Sequence, residues 1–101
     1  MRRAAEFSSQ NVINLAERLG ERIRIARKSR GFSLADLERI CRIHRTTLGR
    51  LERGDLGASI GVFFAVMEAL GEIADVELLL SRPNLKSVKL DVILPILERN
   101  F

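Results

Sequence analysis

The chain has little with which to do covalent chemistry. It carries one cysteine and one histidine. A lone cysteine forms no internal disulfide, which fits a reducing compartment. Cys41 also falls at an inward helical position, where a thiol packs as a small apolar group rather than reacting. Metal-binding clusters of Cys, His, Asp and Glu at ligand spacing are missing, and so is a glycine-rich loop that could cradle phosphate. These absences argue against an enzyme and imply no metal and no other cofactor. No apolar run approaches the roughly 18 residues of a membrane span. In MRRAAEFSSQ, two arginines are followed by no apolar core, so no secretion signal is read and a cytoplasmic protein is expected. Repeats and low-complexity tracts are absent.

What the chain does have is charge of one sign in one place. The 101 residues suffice for one domain with a small core, and 47% apolar against 30% charged is an ordinary soluble mixture. The net charge is +4. From Arg18 to Arg53, eleven basic residues face only Glu21, Asp36, Glu38 and Glu52, an excess of +7. From Ser59 to Phe101, four basic residues face six acids, giving −2. The first half suits a polyanion and the second does not.

Hydrophobic spacing predicts helices. Val12, Ile13, Leu15, Ala16, Leu19, Ile23 and Ala26 recur at three- and four-residue steps, which predicts an amphipathic helix from Gln10 to Arg30 with Ser9 as its cap. Gly20 lies inside that pattern and offers a place to divide it into a leading helix and a core helix. Gly31 supplies the stop. Ser33 opens a second helix, Leu34 to Cys41, and Asp36 can return a hydrogen bond to it. Residues 42–44 turn, a third helix runs from Arg45 to Arg53, and Gly54 ends it. Ser59 caps a fourth helix over 60–70, ended by Gly71. EIADVELLL predicts a fifth, ended near Arg82-Pro83. In KSVKLDVILP, the alternation of Val88, Leu90, Val92 and Leu94 reads as a strand ended by Pro95, which would pair with a copy of itself; a helix over 84–94 packed on the core reads equally well. The expected organisation is an N-terminal arm (1–9), a helical domain (10–81) and a tail for dimerisation or partner binding (82–101).

Residues 34–53 fit two short helices joined by a tight turn. Leu37, Cys41, Ile43, Leu48 and Leu51 take its inward positions. With the leucines inward, the third helix presents Arg45, Thr46, Gly49, Arg50 and Arg53 outward, a surface that can enter the major groove of DNA. Arg45 and Arg50 suit the acceptor pair of guanine, Thr46 can reach a base edge or a thymine methyl, and Gly49 would let the backbone approach a base pair. Thr47 and Arg53 suit phosphates, as do Arg22, Arg24, Arg27, Lys28 and Arg30 as a group. Glu52, an acid on this helix, is expected to turn away from DNA and pair with Arg24 or Arg27.

LGERIRIARKSRGFSLADLERICRIHRTTLGRLERGD resembles the Cro/repressor-type helix-turn-helix family, often called the XRE family, and ASIGVFFAVMEALG resembles the fourth helix that follows in it. The resemblance implies an all-α, five-helix bundle like that of Cro and lambda repressor. It also implies a homodimer that reads a palindromic DNA operator and so sits in the cytoplasm on the nucleoid. LERGDLGASIGVFFAVMEALG resembles more narrowly the small regulators of the HipB kind, which act as antitoxin and autorepressor beside a HipA-like kinase toxin and in which a C-terminal strand completes the dimer. Four positions depart from the family pattern. Leu34 replaces a phosphate-binding glutamine, Glu38 a small residue, Arg42 the glycine of a left-handed turn, and His44 a serine cap; His44 can instead contact phosphate. The alternatives to a sequence-specific repressor are an antitoxin subunit whose main task is to hold a protein partner, and a stand-alone phage-type repressor.

Overall fold

The computed structural model describes residues 8–82 and 90–100, and among them every regular element is a helix. These are α1 (Gln10–Ser29), α2 (Leu34–Cys41), α3 (Arg45–Glu52), α4 (Ile60–Ala69), α5 (Ile73–Glu77) and α6 (Leu90–Asn100). The fold is all-α.

Side chains start the helices and glycines stop them. Ser9 accepts from the Val12 N–H at 3.2 Å, and Ser59 accepts from the Val62 N–H at 3.1 Å. Ser33 and Asp36 exchange hydrogen bonds at 3.0 and 2.8 Å, a complete capping box at the head of α2. The three following glycines, 31, 54 and 71, close α1, α3 and α4 with the same paired bonds; at α3, Asp55 N–H reaches the Arg50 carbonyl and Gly54 N–H the Leu51 carbonyl, both at 3.0 Å. Gly54 is the most constrained of them. Its φ is +79°, and a β-carbon there would lie 2.7 Å from the backbone of Glu17 on α1.

Leu37 of α2, Leu48 of α3, Val66 of α4, Ile23 of α1 and Leu70 just past α4 form the buried centre. Cys41, Ile43 and Leu51 pack against it partly buried. The Cys41 thiol donates to the Ala65 carbonyl at 3.7 Å, tying α2 to α4; burial, with Glu68 nearby, pushes its pKa up, so the reactive thiolate is disfavoured. The corner between α2 and α3 turns on Arg42, whose φ of 58° and ψ of 37° are left-handed, as the family resemblance implies for that position. An arginine holds this conformation at about 1–2 kcal/mol relative to the right-handed one.

Three expectations change. Gly20 does not divide α1, which is one helix of 20 residues. Instead it is where α1 and α3 meet: a β-carbon at 20 would lie 2.5 Å from the Glu52 carbonyl oxygen and 2.7 Å from that of Leu51. The fifth helix is shorter than EIADVELLL. It ends at Glu77, the following leucines 78–80 form turns with Leu80 at a φ of 56°, and all three are exposed. Of the two readings of the tail, residues 90–94 take the helical one. Those residues begin α6, and Pro95, expected to end the element, lies inside it. A single helix satisfies its own backbone where a single strand cannot, and Leu90, Leu94 and Leu97 recur at steps of four and three, which suit a helix and not a strand. Val88 and the rest of 83–89 lie outside the described residues.

Gly20→Ala separates the two roles of that glycine. Helix propensity alone would make alanine stabilising by about 1 kcal/mol. Contact with the α3 backbone makes it destabilising, by about 1–3 kcal/mol. Urea unfolding of the two proteins is expected to show the loss.

Candidate nucleic-acid interface

The outer surface of α3 is built by locking its inner one. Leu48 is fully buried, and Gly49 and Glu52 are buried beside it. Glu52 meets Arg27 of α1 in a two-point ion pair, Nε to Oε2 at 2.6 Å and Nη2 to Oε1 at 3.0 Å. Arg27 also donates through Nη1 to the Phe32 carbonyl at 2.8 Å, just beyond the end of α1. The two side chains are only 8% and 6% exposed. Of the two partners expected for Glu52, Arg27 takes the role. It is therefore withdrawn from the phosphate-binding candidates.

Rotation by about 100° per residue then turns Thr46 and Arg50 to the opposite side, one turn apart. Both are exposed, as are His44, Arg45 and Arg53, and Thr47 is half-buried. Gly49 does not take the place expected for it. It is buried toward the cleft between α1 and α3, and a β-carbon on it would sit 3.2 Å from Arg53 Nη1. What covers it there is the far end of the exposed Arg53 side chain.

The same cleft is lined by Arg24, Arg53, Leu34, Glu17 and Glu21. It brings Arg24 and Arg53 together, as phosphate binding requires, but sets two acids beside them; Glu21 accepts from Arg24 at 3.3 Å. Lys28, in the last turn of α1, is exposed and does not line the cleft. Arg30 pairs with Glu72 at 2.9 Å. His44 caps α3 in spite of its type, its Nδ1 accepting from the Thr46 N–H at 3.1 Å.

The four acids within the basic stretch are all engaged by arginines. Glu21 pairs with Arg24, Asp36 with Arg39, Glu38 with Arg45 and Glu52 with Arg27. Side-chain and backbone hydrogen bonds from Arg45 hold the Glu38 carboxyl below the usual carboxylate range. The backbone and hydroxyl of Ser33, with Arg39, do the same for Asp36. Once these pairs are set aside, the arginines of the corner and α3 without an ion-pair partner among the described residues are Arg42, Arg50 and Arg53. Three cations without an ion pair among the described residues thus stand on one short helix and its turn. The Glu38–Arg45 contact was not foreseen. The only sign of it in the sequence is an acid seven residues before an arginine, across a turn.

A family model described as a helix-turn-helix domain matches residues 18–79, more than half of the chain. The chain belongs to the helix-turn-helix domain family. As a member it is a DNA-binding regulator of the XRE-like type. Comparisons with curated proteins and with solved structures find no match. No helix among the described residues is long and apolar enough to cross a membrane.

Because the Arg27–Glu52 pair is almost dry, removing one partner strands the other. Glu52→Met and Arg27→Met are each expected to destabilise the helix-turn-helix domain by about 3–5 kcal/mol. The double variant Arg27→Met, Glu52→Met is expected to be more stable than either single one, because no unpaired charge remains buried. Chemical denaturation of the four proteins measures this, and equal, additive losses would refute it.

Proposed function

We propose that this protein is a sequence-specific transcriptional repressor that binds a palindromic operator as a homodimer, with residues 10–81 as the reading unit and 82–101 as the dimerisation tail. The observation that carries the reading is the outer face of α3. Thr46 and Arg50 stand exposed one turn apart, Arg45 begins the helix and Arg53 follows it, while the other side is fixed by Leu48 and Glu52. Such a helix matches the width of the major groove, and the arginines match the O6 and N7 acceptors of guanine. Arg45, Thr46 and Arg50 read bases. His44, Thr47, Arg53, Arg24 and Lys28 hold phosphates and set the register. Two copies would place their α3 helices about 34 Å apart, one turn of DNA. Occupying its own promoter, the dimer would exclude polymerase.

Dimerisation is supported by α6. It has 11 residues, shorter than an isolated helix needs to be stable in water, and it exposes Leu94, Ile96 and Leu97. A second copy covering that surface resolves both facts. The reading as an antitoxin beside a HipA-like kinase draws on a different surface, the exposed leucines 78–80, with Leu80 wholly in solvent.

Binding to selected duplexes, followed by fluorescence anisotropy across a salt series, tests the DNA reading. Arg50→Ala is expected to lose about 1–3 kcal/mol of discrimination at one base position. Arg53→Ala is expected to weaken all sequences alike and reduce the salt slope by about one. Unchanged sequence preference in both Arg45→Ala and Arg50→Ala would overturn the assignment. For the tail, Leu94→Glu with Leu97→Glu is expected to convert a dimer to a monomer in sedimentation equilibrium.

A further inference from the structure

Arg45 is held in an unusual way. One oxygen of Glu38, Oε1, accepts from the Arg45 backbone N–H at 3.2 Å and from its Nε at 2.8 Å. The carboxylate thus grips the residue at its main chain and at the root of its guanidinium. The terminal nitrogens, Nη1 and Nη2, make no hydrogen bond to any described residue, and the side chain remains 56% exposed. Arg50 has no such restraint; its side chain makes no hydrogen bond to any described residue.

We propose that Glu38 is a specificity-determining residue, which positions Arg45 so that its Nη1–Nη2 edge is presented to a guanine and is withheld from phosphate. The inference rests on the reading of α3 as the base-reading helix. Three physical arguments support it. A free arginine side chain carries about 2 kcal/mol of rotamer entropy, part of which is lost on binding. Glu38 removes that freedom before DNA arrives. The contact it makes is through Nε, so the pair of N–H groups suited to the O6 and N7 acceptors stays available. The carboxylate also offsets the charge of Arg45 and repels a phosphate that comes close, while a guanine edge carries no net charge. The acid therefore weakens nonspecific contact more than specific contact. Its own carboxyl, held deprotonated by the same hydrogen bonds, keeps the grip in place.

The test uses the full chain and a pool of random duplexes from which preferred sites are selected, followed by competition binding with single-base variants of those sites. Glu38→Ala is expected to bind random duplex as well as the parent or better and to lower the specific-to-nonspecific ratio about tenfold, a size typical of one bidentate base contact. The loss is expected at the same base pair that Arg45→Ala relaxes, and Glu38→Ala is expected to add nothing further in an Arg45→Ala background. Glu38→Gln, which keeps an acceptor oxygen at the same place, is expected to restore most of the discrimination. Circular-dichroism melts report folding of each variant, and Glu38→Met, which keeps the length but offers no acceptor, carries the same expectations as Glu38→Ala if the Ala variant unfolds. Full discrimination in Glu38→Ala, relaxation at a different base pair, or simple additivity with Arg45→Ala overturns the proposal while leaving α3 as the reading helix. A parent protein that selects no sequence overturns both.

Discussion

An arginine and a glutamate, both withdrawn from water, hold this structure in its working shape. Burying either charge alone would be severely unfavourable; burying them together is tolerable only because the fork of Arg27 meets both oxygens of Glu52 and its remaining nitrogen finds the Phe32 carbonyl. The pair joins the last turn of α1 to the end of α3, and the third bond ties in the segment that leads to α2. Three elements are therefore set by one guanidinium. An aliphatic pair of similar volume would pack there too, but it would not fix direction in the same way, since apolar contact has no preferred angle.

That constraint explains how a small bundle can carry so uneven a charge. Repulsion among basic residues is relieved where acids are inserted between them, and each acid of the basic stretch is spent inside the protein's own contacts. The arginines of the corner and α3 left without an ion pair among the described residues are Arg42, Arg50 and Arg53, all exposed. The left-handed Arg42 belongs to the same design. A glycine would fit that backbone with less strain, but would take one cation away from the surface where cations gather.

Much of this was legible beforehand. The caps at Ser9, Ser33 and Ser59 and the stops at Gly31, Gly54 and Gly71 follow from short-range chemistry, in which the residue and its partner lie within a few positions. The acid on the third helix pointed inward for a reason that charge alone supplied. What could not be read were contacts set by tertiary distance. Gly20 looked like a weak point because propensity is local, whereas its purpose lies in the backbone of a helix some thirty positions later. Gly49 looked outward because a residue without a side chain gives no periodicity of its own. The tail stood open between strand and helix because alternating and helical patterns coincide over so few residues, and only the need of a backbone to bond with itself distinguishes them.

The meeting of α1 and α3 at Gly20 has a mechanical consequence. Most neighbours in the core touch through side chains that can swing to another rotamer when disturbed; Gly20, like Gly54 against Glu17, is different. Here main chain rests on main chain, and nothing compliant lies between. The two helices must then tilt together, as a single rigid lever. A molecule that pressed on the solvent side of α1 would shift the arginines of α3 with it, far from the place it touched.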